Sequence, residues 1–132
     1  MDIKLERLLY EKYPKIFADK NKAPTETSMC WGIECGSGWY ALIDELCRRL
    51  TEYLDKHPDV PQVVAGQVKQ NFGGLRYHVH GGNNVTSQLI EDACYISYNT
   101  CESCGSMQTV EQRIVGIWIT QLCNKCSVKE KI

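Results

Sequence analysis

The sequence predicts an α+β fold in which a small helix–hairpin–helix body carries a C-terminal four-cysteine zinc ribbon. Three observations predict this fold. Apolar residues recur at helical spacing over 39–56, apolar and polar residues alternate along 75–80, and two Cys-x-x-Cys pairs stand near the end of the 132-residue chain. This length is typical of one small domain followed by a short metal-stabilised segment.

Each of the three predicted helices has an apolar face at helical spacing. The first, about 2–13, ends near Pro14, which breaks or kinks a helix. The second, about 39–56, is the clearest, because its charged residues lie mostly opposite its apolar face and Pro58 follows its end. The third, about 87–98, brings Leu, Ile, Ala and Cys side chains to one face.

A β-hairpin, about 62–80, is predicted between the second and third helices. Its first half is rich in Val and its second half alternates with a period of two. The Asn-Phe-Gly-Gly segment at 71–74 has the residues of a tight turn. The predicted body therefore occupies residues 1–99.

Residues 100–132 are predicted to form a zinc ribbon that packs on the body. The spacing C-x2-C-x18-C-x2-C supplies two knuckles, each of which directs two thiolates at one metal ion. Four thiolates close the coordination sphere, so one structural Zn²⁺ is expected, with iron or a pair of disulfides as alternatives. The predicted ligands are Cys101, Cys104, Cys123 and Cys126.

The composition narrows the classes of function. Fifteen basic residues against sixteen acidic ones give a net charge of −1, which disfavours a surface devoted to nucleic acid. No segment is long and apolar enough to span a membrane, and the N-terminus lacks an apolar signal region. We therefore expect a cytoplasmic protein whose eight cysteines are metal ligands and core residues rather than disulfides.

A second pattern, less specific than the cysteine spacing, predicts a site for an anionic, nucleotide-like small ligand. Residues 60–90 contain no Asp or Glu but carry basic side chains, and Gly-Ser-Gly at 36–38 opens the main helix, where backbone N–H groups favour an anion. Aromatic residues beside these turns can stack on a base. The alternative is that Trp39 belongs to the core and that the glycines only make turns. The predicted binding residues are Trp31, Gly36, Ser37, Gly38, Trp39, Tyr40, Lys69, Phe72, Gly73, Gly74, Arg76 and Tyr77.

The remaining cysteines and histidines leave a second metal site open. Its candidate ligands are Cys30, Cys35, His78 and His80. Cys47 and Cys94 lie on apolar helix faces and are predicted to be inert, buried thiols. The two histidines ahead of a helix also suggest a degenerate ββα-metal nuclease, although that helix contains no His to complete the site. We therefore expect no enzymatic activity.

Two segments and the ribbon together resemble small proteins of tailed bacteriophages. The segments are Cys-Trp-Gly-Ile-Glu-Cys-Gly-Ser-Gly-Trp at 30–39 and Val-Lys-Gln-Asn-Phe-Gly-Gly-Leu-Arg-Tyr at 68–77. The resemblance covers nearly the whole chain, and Phe-Gly-Gly-Leu-Arg is its most distinctive part. It implies a virus-encoded protein of the bacterial host cytoplasm, with no catalytic residue to carry over. Analogy with small phage proteins suggests counter-defence, including sequestration of a nucleotide immune signal.

The expected function is thus non-enzymatic binding of an anionic, nucleotide-like ligand. The alternative is a zinc-ribbon adaptor that binds a host protein or, less favoured, nucleic acid, whose affinity depends on many Lys and Arg contacts to phosphates. The exposed edge of the hairpin would also allow a homodimer.

Overall fold

The computed structural model of the chain describes residues 1–130, so residues 131 and 132 of the predicted ribbon lie outside it. The α-helices are α1 (Ile3–Lys12), α2 (Tyr40–Lys56), α3 (Asn84–Ser97) and α4 (Asn124–Glu130). The strands are β1 (Ile33–Glu34), β2 (Val64–Asn71), β3 (Gly74–His80), β4 (Glu111–Val115) and β5 (Trp118–Leu122). The α+β class predicted from the sequence is confirmed. Among the described helices, none is long and apolar enough to cross a membrane.

The body contains a three-stranded sheet in the order β1-β2-β3. Strands β2 and β3 are antiparallel, and β1 runs parallel to β2 through the pairs Ile33–Val68 and Glu34–Lys69. The sequence does not predict β1, because two residues are too few for an alternating pattern to show. This short strand brings the Gly-Ser-Gly segment to the end of the sheet where the ribbon lies.

The turn between β2 and β3 fixes the register of the hairpin. Its two central residues, Phe72 and Gly73, both have positive φ angles (51° and 91°), as a type I′ turn requires. Asn71 consequently pairs with Gly74, and this register continues to the pair Gln67–His78, beyond which a bulge between Ala65 and Gln67 shifts it. Tyr77 faces the core, whereas Arg76 lies on the outer face.

The core of the body lies between the sheet and the helices. Helix α2 packs on α3, and α3 packs on β3. The largest fully buried side chains in this core are Trp39, Phe17, Leu9, Ile16, Met29, Ile43 and Leu50. Fixing α2 through this core also fixes the short 3₁₀ turn Ser37–Trp39 that precedes it.

Two helix boundaries differ from the predicted ones. Helix α2 begins at Tyr40, because Ser37–Trp39 forms the 3₁₀ turn and not the first turn of the α-helix. Helix α3 begins at Asn84, three residues before the predicted start. Asn83 caps it by accepting hydrogen bonds from the backbone N–H groups of Val85 (3.0 Å) and Thr86 (3.2 Å). The Gly-Gly-Asn-Asn segment therefore ends the hairpin and also starts the next helix.

The ribbon consists of the antiparallel pair β4–β5 followed by α4. Gly116 and Ile117 form its two-residue turn, and Gly116 has a positive φ of 64°. Helix α4 is not predicted from the sequence, because its seven residues overlap the second cysteine pair at Cys126 and show no extended apolar face.

Candidate functional site

The two cysteine pairs meet at one end of the ribbon. The sulfur atoms of Cys101, Cys104, Cys123 and Cys126 all lie within 4.8 Å of one another. Three of these residues are buried and Cys104 is exposed. The sulfurs of Cys104 and Cys123 are 3.7 Å apart, far beyond the bond of about 2.05 Å in a disulfide. The four predicted ligands are therefore positioned to hold one metal ion.

Different backbone structures position the two pairs. After the first pair, Gly105 has a positive φ of 83° and its N–H donates to the Cys101 carbonyl oxygen (2.9 Å). In the second pair Cys123 immediately precedes α4 and Cys126 lies in its first turn, where the Ser127 N–H donates to the Cys123 carbonyl oxygen (2.9 Å). This helical course explains why serine can stand where the first knuckle needs glycine.

The backbone also prepares one thiol for metal binding. A hydrogen bond from the Cys126 backbone N–H, together with the neighbouring thiols, lowers the pKa of Cys123 to about 7, whereas burial raises the pKa of Cys126 to about 12. A metal ion is bound by thiolate and displaces the proton, so a lowered pKa favours binding near neutral pH.

Glu102, in the first knuckle, joins the ribbon to the body. Its carbonyl oxygen accepts a hydrogen bond from the Gly38 N–H (2.8 Å), and its carboxylate accepts one from the Gly36 N–H (2.9 Å). The other carboxylate oxygen accepts from the Thr120 hydroxyl (3.0 Å). The N–H groups that the sequence assigns to a ligand anion are thus directed at Glu102. The Gly36 N–H therefore meets a carboxylate of the chain itself, and the Gly38 N–H meets a backbone carbonyl oxygen.

The glycines of this turn are required by close packing. A Cβ atom at Gly36 would overlap the Glu102 carbonyl, and one at Gly38 would overlap the carbonyl oxygens of Cys101 and Glu102. Gly73 and Gly74 have the same role at the hairpin turn, where added Cβ atoms would meet side chains of the ribbon and of Tyr98. All four glycines therefore allow close packing around the junction with the ribbon.

Two aromatic residues of the predicted ligand site belong to the core. Trp39 is fully buried, and its indole Nε1–H donates to the Thr100 carbonyl oxygen (3.0 Å). Tyr77 is buried with its hydroxyl 3.1 Å from the Cys47 sulfur. Burial raises the pKa of the Cys47 thiol to about 12, as expected for an inert core cysteine. Neither ring can stack on a bound base in this structure.

The other predicted ligand residues are scattered. Trp31 lines a separate cleft of about 470 Å³ beside α1. Tyr40 lies half-buried with its hydroxyl 3.5 Å from Lys12 Nζ. Phe72 is exposed at the hairpin turn, and Arg76 is exposed on the outer face of the sheet, directly opposite Lys69.

Three predicted residues do meet in a cleft of about 570 Å³ between the sheet and the ribbon. They are Gly36, Ser37 and Lys69. The ribbon supplies the opposite wall, which sequence reasoning missed: Glu102, Ser103, Val115, Trp118, Thr120 and Leu122. The remaining lining residues are Glu34 and Gln70, whose side-chain amide donates to the Ile119 carbonyl oxygen.

The residues proposed for a second metal site do not converge. Within the described part of the chain, the ribbon cysteines are the one group of three or more metal-ligating side chains close enough to share an ion. His80 Nε2 instead lies 3.1 Å from the Asp19 carboxylate, a hydrogen bond that lowers the pKa of Asp19. Cys35 is buried, and Cys30 directs its sulfur at the Thr27 carbonyl oxygen (3.7 Å).

The tip of the ribbon exposes large apolar side chains. Ile114 is 77% exposed, Ile117 is 89% exposed and Trp118 is 67% exposed. Ile114 pairs with Ile119 on one face of the hairpin, while Val115 pairs with Trp118 on the other. We call Ile114, Val115, Ile117 and Trp118 the hairpin tip. Its signal in the sequence is the apolar run around Gly116, which predicts strands but does not reveal their exposure.

The packing at Gly38 gives a testable prediction. Replacing Gly38 by Ala is expected to destabilise the junction with the ribbon by about 1–3 kcal/mol, because the added methyl group overlaps two carbonyl oxygens. Gly66→Ala is the matched control, since its Cβ would meet the His78 ring at an ordinary 3.4 Å. Urea unfolding of the two variants measures the difference, and equal unfolding midpoints would contradict the proposed close contact.

Comparisons of the chain with protein-family models, curated proteins and solved structures found no match. The function therefore has to be inferred from the geometry of the site.

Proposed function

We propose that this chain is a non-enzymatic docking protein, in which a zinc-bound ribbon presents its hairpin tip to a partner protein. One observation carries the proposal, namely the exposure of three large apolar side chains within one short hairpin. Large apolar side chains exposed together on one short element are typical of interaction sites in soluble proteins. Trp118 adds the residue type that most often dominates binding energy at such interfaces.

Zinc is the metal that best fits the four sulfurs. Two Zn–S bonds of about 2.3 Å at a tetrahedral angle place their sulfur atoms about 3.8 Å apart. The Cys104–Cys123 separation of 3.7 Å agrees with this value. Four protein ligands leave no position for water or substrate, which supports a structural role for one Zn²⁺.

The proposed role of the zinc site is to make the hairpin tip rigid. A hairpin of two five-residue strands is marginally stable alone, so its apolar side chains would not hold a fixed arrangement without support. The metal site and the Glu102 contacts provide that support from the end opposite the Gly116–Ile117 turn. A rigid tip loses less conformational entropy when it binds a partner.

The resemblance to small phage proteins indicates which partner the hairpin tip would bind. It supports a protein of the bacterial host cytoplasm as the partner, and counter-defence as the biological role of the docking. Nucleic acid is a weaker partner, since the net charge is −1 and the side chain of Arg113 already donates to the Leu122 carbonyl oxygen and to Asn124.

Two contacts argue against the alternative of a degenerate nuclease. Asn83 uses its side chain to cap α3 and to donate to the Tyr53 hydroxyl (2.9 Å). His80 is hydrogen-bonded to Asp19, and not directed with His78 at a shared ion. These contacts favour structural roles for both residues.

Binding of an anionic, nucleotide-like ligand remains the second candidate function. It is favoured by one observation: Lys69 and Trp118 line the same cleft. It ranks below docking because two predicted stacking residues are buried and because Glu34 and Glu102 also line that cleft. Native mass spectrometry of protein purified gently from bacteria tests it, since a retained nucleotide would add its mass to the chain and its metal.

Site-specific photocrosslinking tests the docking proposal. A photoreactive amino acid replaces Ile117 in one version of the chain and Tyr95 in the other. Tyr95 is the control because it is 74% exposed, on α3 and outside the hairpin tip. We expect a discrete covalent adduct with one host protein at position 117 and none at position 95. The captured protein is then purified and titrated against the wild type and Trp118→Ala.

Binding of that purified partner should weaken at least about tenfold in Trp118→Ala, as for a central interface tryptophan. Equal affinity for the wild type and Trp118→Ala would refute docking through the hairpin tip. Adducts that join two copies of this chain would also overturn the proposal and assign the tip to a homodimer.

A further inference from the structure

We infer that the cleft between the sheet and the ribbon binds an extended peptide segment of the partner, one that carries an acidic side chain beside an apolar one. This inference rests on the proposed docking function, because it gives the partner a chemical identity. The cleft measures about 570 Å³, which lies within the range of sites that enclose a ligand.

The cleft is continuous with the hairpin tip. Val115 and Trp118 belong to the tip and also line the cleft, because both lie on the same face of the β4–β5 hairpin. A partner that covers Trp118 therefore reaches the opening of the cleft without leaving the surface. Leu122, farther along the same face of β5, extends the apolar wall inward. This wall suits an apolar side chain of a peptide.

The cleft also offers uncharged hydrogen-bonding groups, Ser37 on the body side and Thr120 on the ribbon side. Ser37 accepts a hydrogen bond from the Asp2 backbone N–H (2.9 Å), which leaves its hydroxyl proton available to a ligand. The Thr120 hydroxyl donates to Glu102, so its oxygen can still accept a hydrogen bond. Such groups match the alternating N–H and C=O groups of an extended peptide backbone.

The charges of the cleft distinguish a peptide from a nucleotide. The Glu102 carboxylate already accepts two hydrogen bonds, whereas Lys69 and Glu34 form no ion pair within 4 Å among the side chains that the structure describes. The cleft thus carries two carboxylates and one cation, so it repels a polyphosphate more strongly than the single carboxylate of a peptide side chain. Arg76, directly opposite Lys69 on β3, strengthens the positive potential on that side. The acidic side chain of the segment therefore lies beside Lys69.

Selection from a displayed library of random peptides tests the inference. The zinc-loaded wild-type protein is the bait, and enriched peptides are synthesised and titrated by fluorescence anisotropy. We expect them to share an acidic residue next to an aromatic or aliphatic one. Lys69→Gln should weaken binding about tenfold, and Lys69→Glu should weaken it further through repulsion. Lys56→Glu, an exposed charge reversal on α2, is the control and should bind like the wild type.

A charge swap completes the test. Replacing the acidic residue of a selected peptide by Lys should restore binding to Lys69→Glu, because attraction then replaces repulsion. If no peptide is enriched, if the peptides lack an acidic residue, or if both Lys69 variants bind normally, the cleft is not the peptide site. A nucleotide retained by the wild type and lost in Lys69→Gln would likewise overturn the inference. None of these results affects crosslinking at position 117, so the docking function can stand when the inference fails.

Discussion

Removing the metal from the four-cysteine centre is expected to unfold the ribbon while the body stays folded. The ribbon has few means of its own to stay ordered, because its buried cluster consists of Leu122 and three of the four cysteines. In zinc-finger peptides the metal contributes about 10–16 kcal/mol of apparent folding free energy. The body keeps a separate core that does not include the metal ligands.

Hydrogen exchange measures this outcome residue by residue. A strong chelator should abolish protection of the β4 and β5 amides and leave protection in α2 largely intact. Cys101→Ser should reproduce the effect, since Cys101 is fully buried in the metal site. Cys30→Ser is the matched control, because Cys30 lies outside the ribbon and should leave the exchange pattern unchanged. Full protection of β4 and β5 in the chelated protein would show that the ribbon is stable without metal.

The same experiment tests the coupling between metal and docking. An unfolded ribbon cannot present the hairpin tip or close the cleft, so chelation should remove binding of both the partner and the selected peptides. Binding that persists in the chelated protein, with the ribbon unfolded, would place the interface on the body.

The features that the sequence predicts well are those determined by residues close together in the chain. The metal site is predicted because two residues between cysteines bring both thiolates of a pair close together. The hairpin is predicted because Phe72 and Gly73 form a two-residue turn and the strand residues alternate. Helix α2 shows a periodic apolar face over four turns. Each of these signals is contained within a short stretch of chain.

The features that were missed depend on contacts between distant residues. Glu102 meets Gly36 across 66 positions, and no local pattern indicates that partnership. A Gly-Ser-Gly turn at the start of a helix has the same sequence whether its N–H groups receive a ligand anion or a carboxylate of the same chain. The sequence alone therefore does not reveal that the Gly36 N–H is hydrogen-bonded to Glu102.

The exposure of the hairpin tip could not be predicted for a related reason. An apolar strand of Val, Ile and Trp is ordinarily a core strand, and periodicity alone does not say what covers it. In this ribbon the body covers only one end of the hairpin, and Ile117 extends beyond that cover. Exposure here is a property of size, because a two-stranded ribbon has too little mass to bury both of its faces.

Truncation of Trp39 is expected to cause the largest loss of stability among single substitutions in the body. Trp39 is the largest of the fully buried side chains, so Trp39→Ala should cost about 3–5 kcal/mol through the lost contacts and the remaining cavity. Trp39→Phe retains most of the volume but leaves the Thr100 carbonyl oxygen without its donor, which should cost about 1–3 kcal/mol. Denaturant unfolding curves measure both values.

The other two tryptophans provide the comparison. Trp31 and Trp118 are 65% and 67% exposed, so their replacement by Ala should change stability by no more than about 0.5 kcal/mol. A loss in Trp31→Ala equal to that in Trp39→Ala would contradict the burial of Trp39. Trp118→Ala gives the most informative comparison, because it should be as stable as the wild type and yet bind the partner at least about tenfold more weakly. A variant that loses binding at unchanged stability separates a docking side chain from a core side chain, which stability measurements alone cannot do.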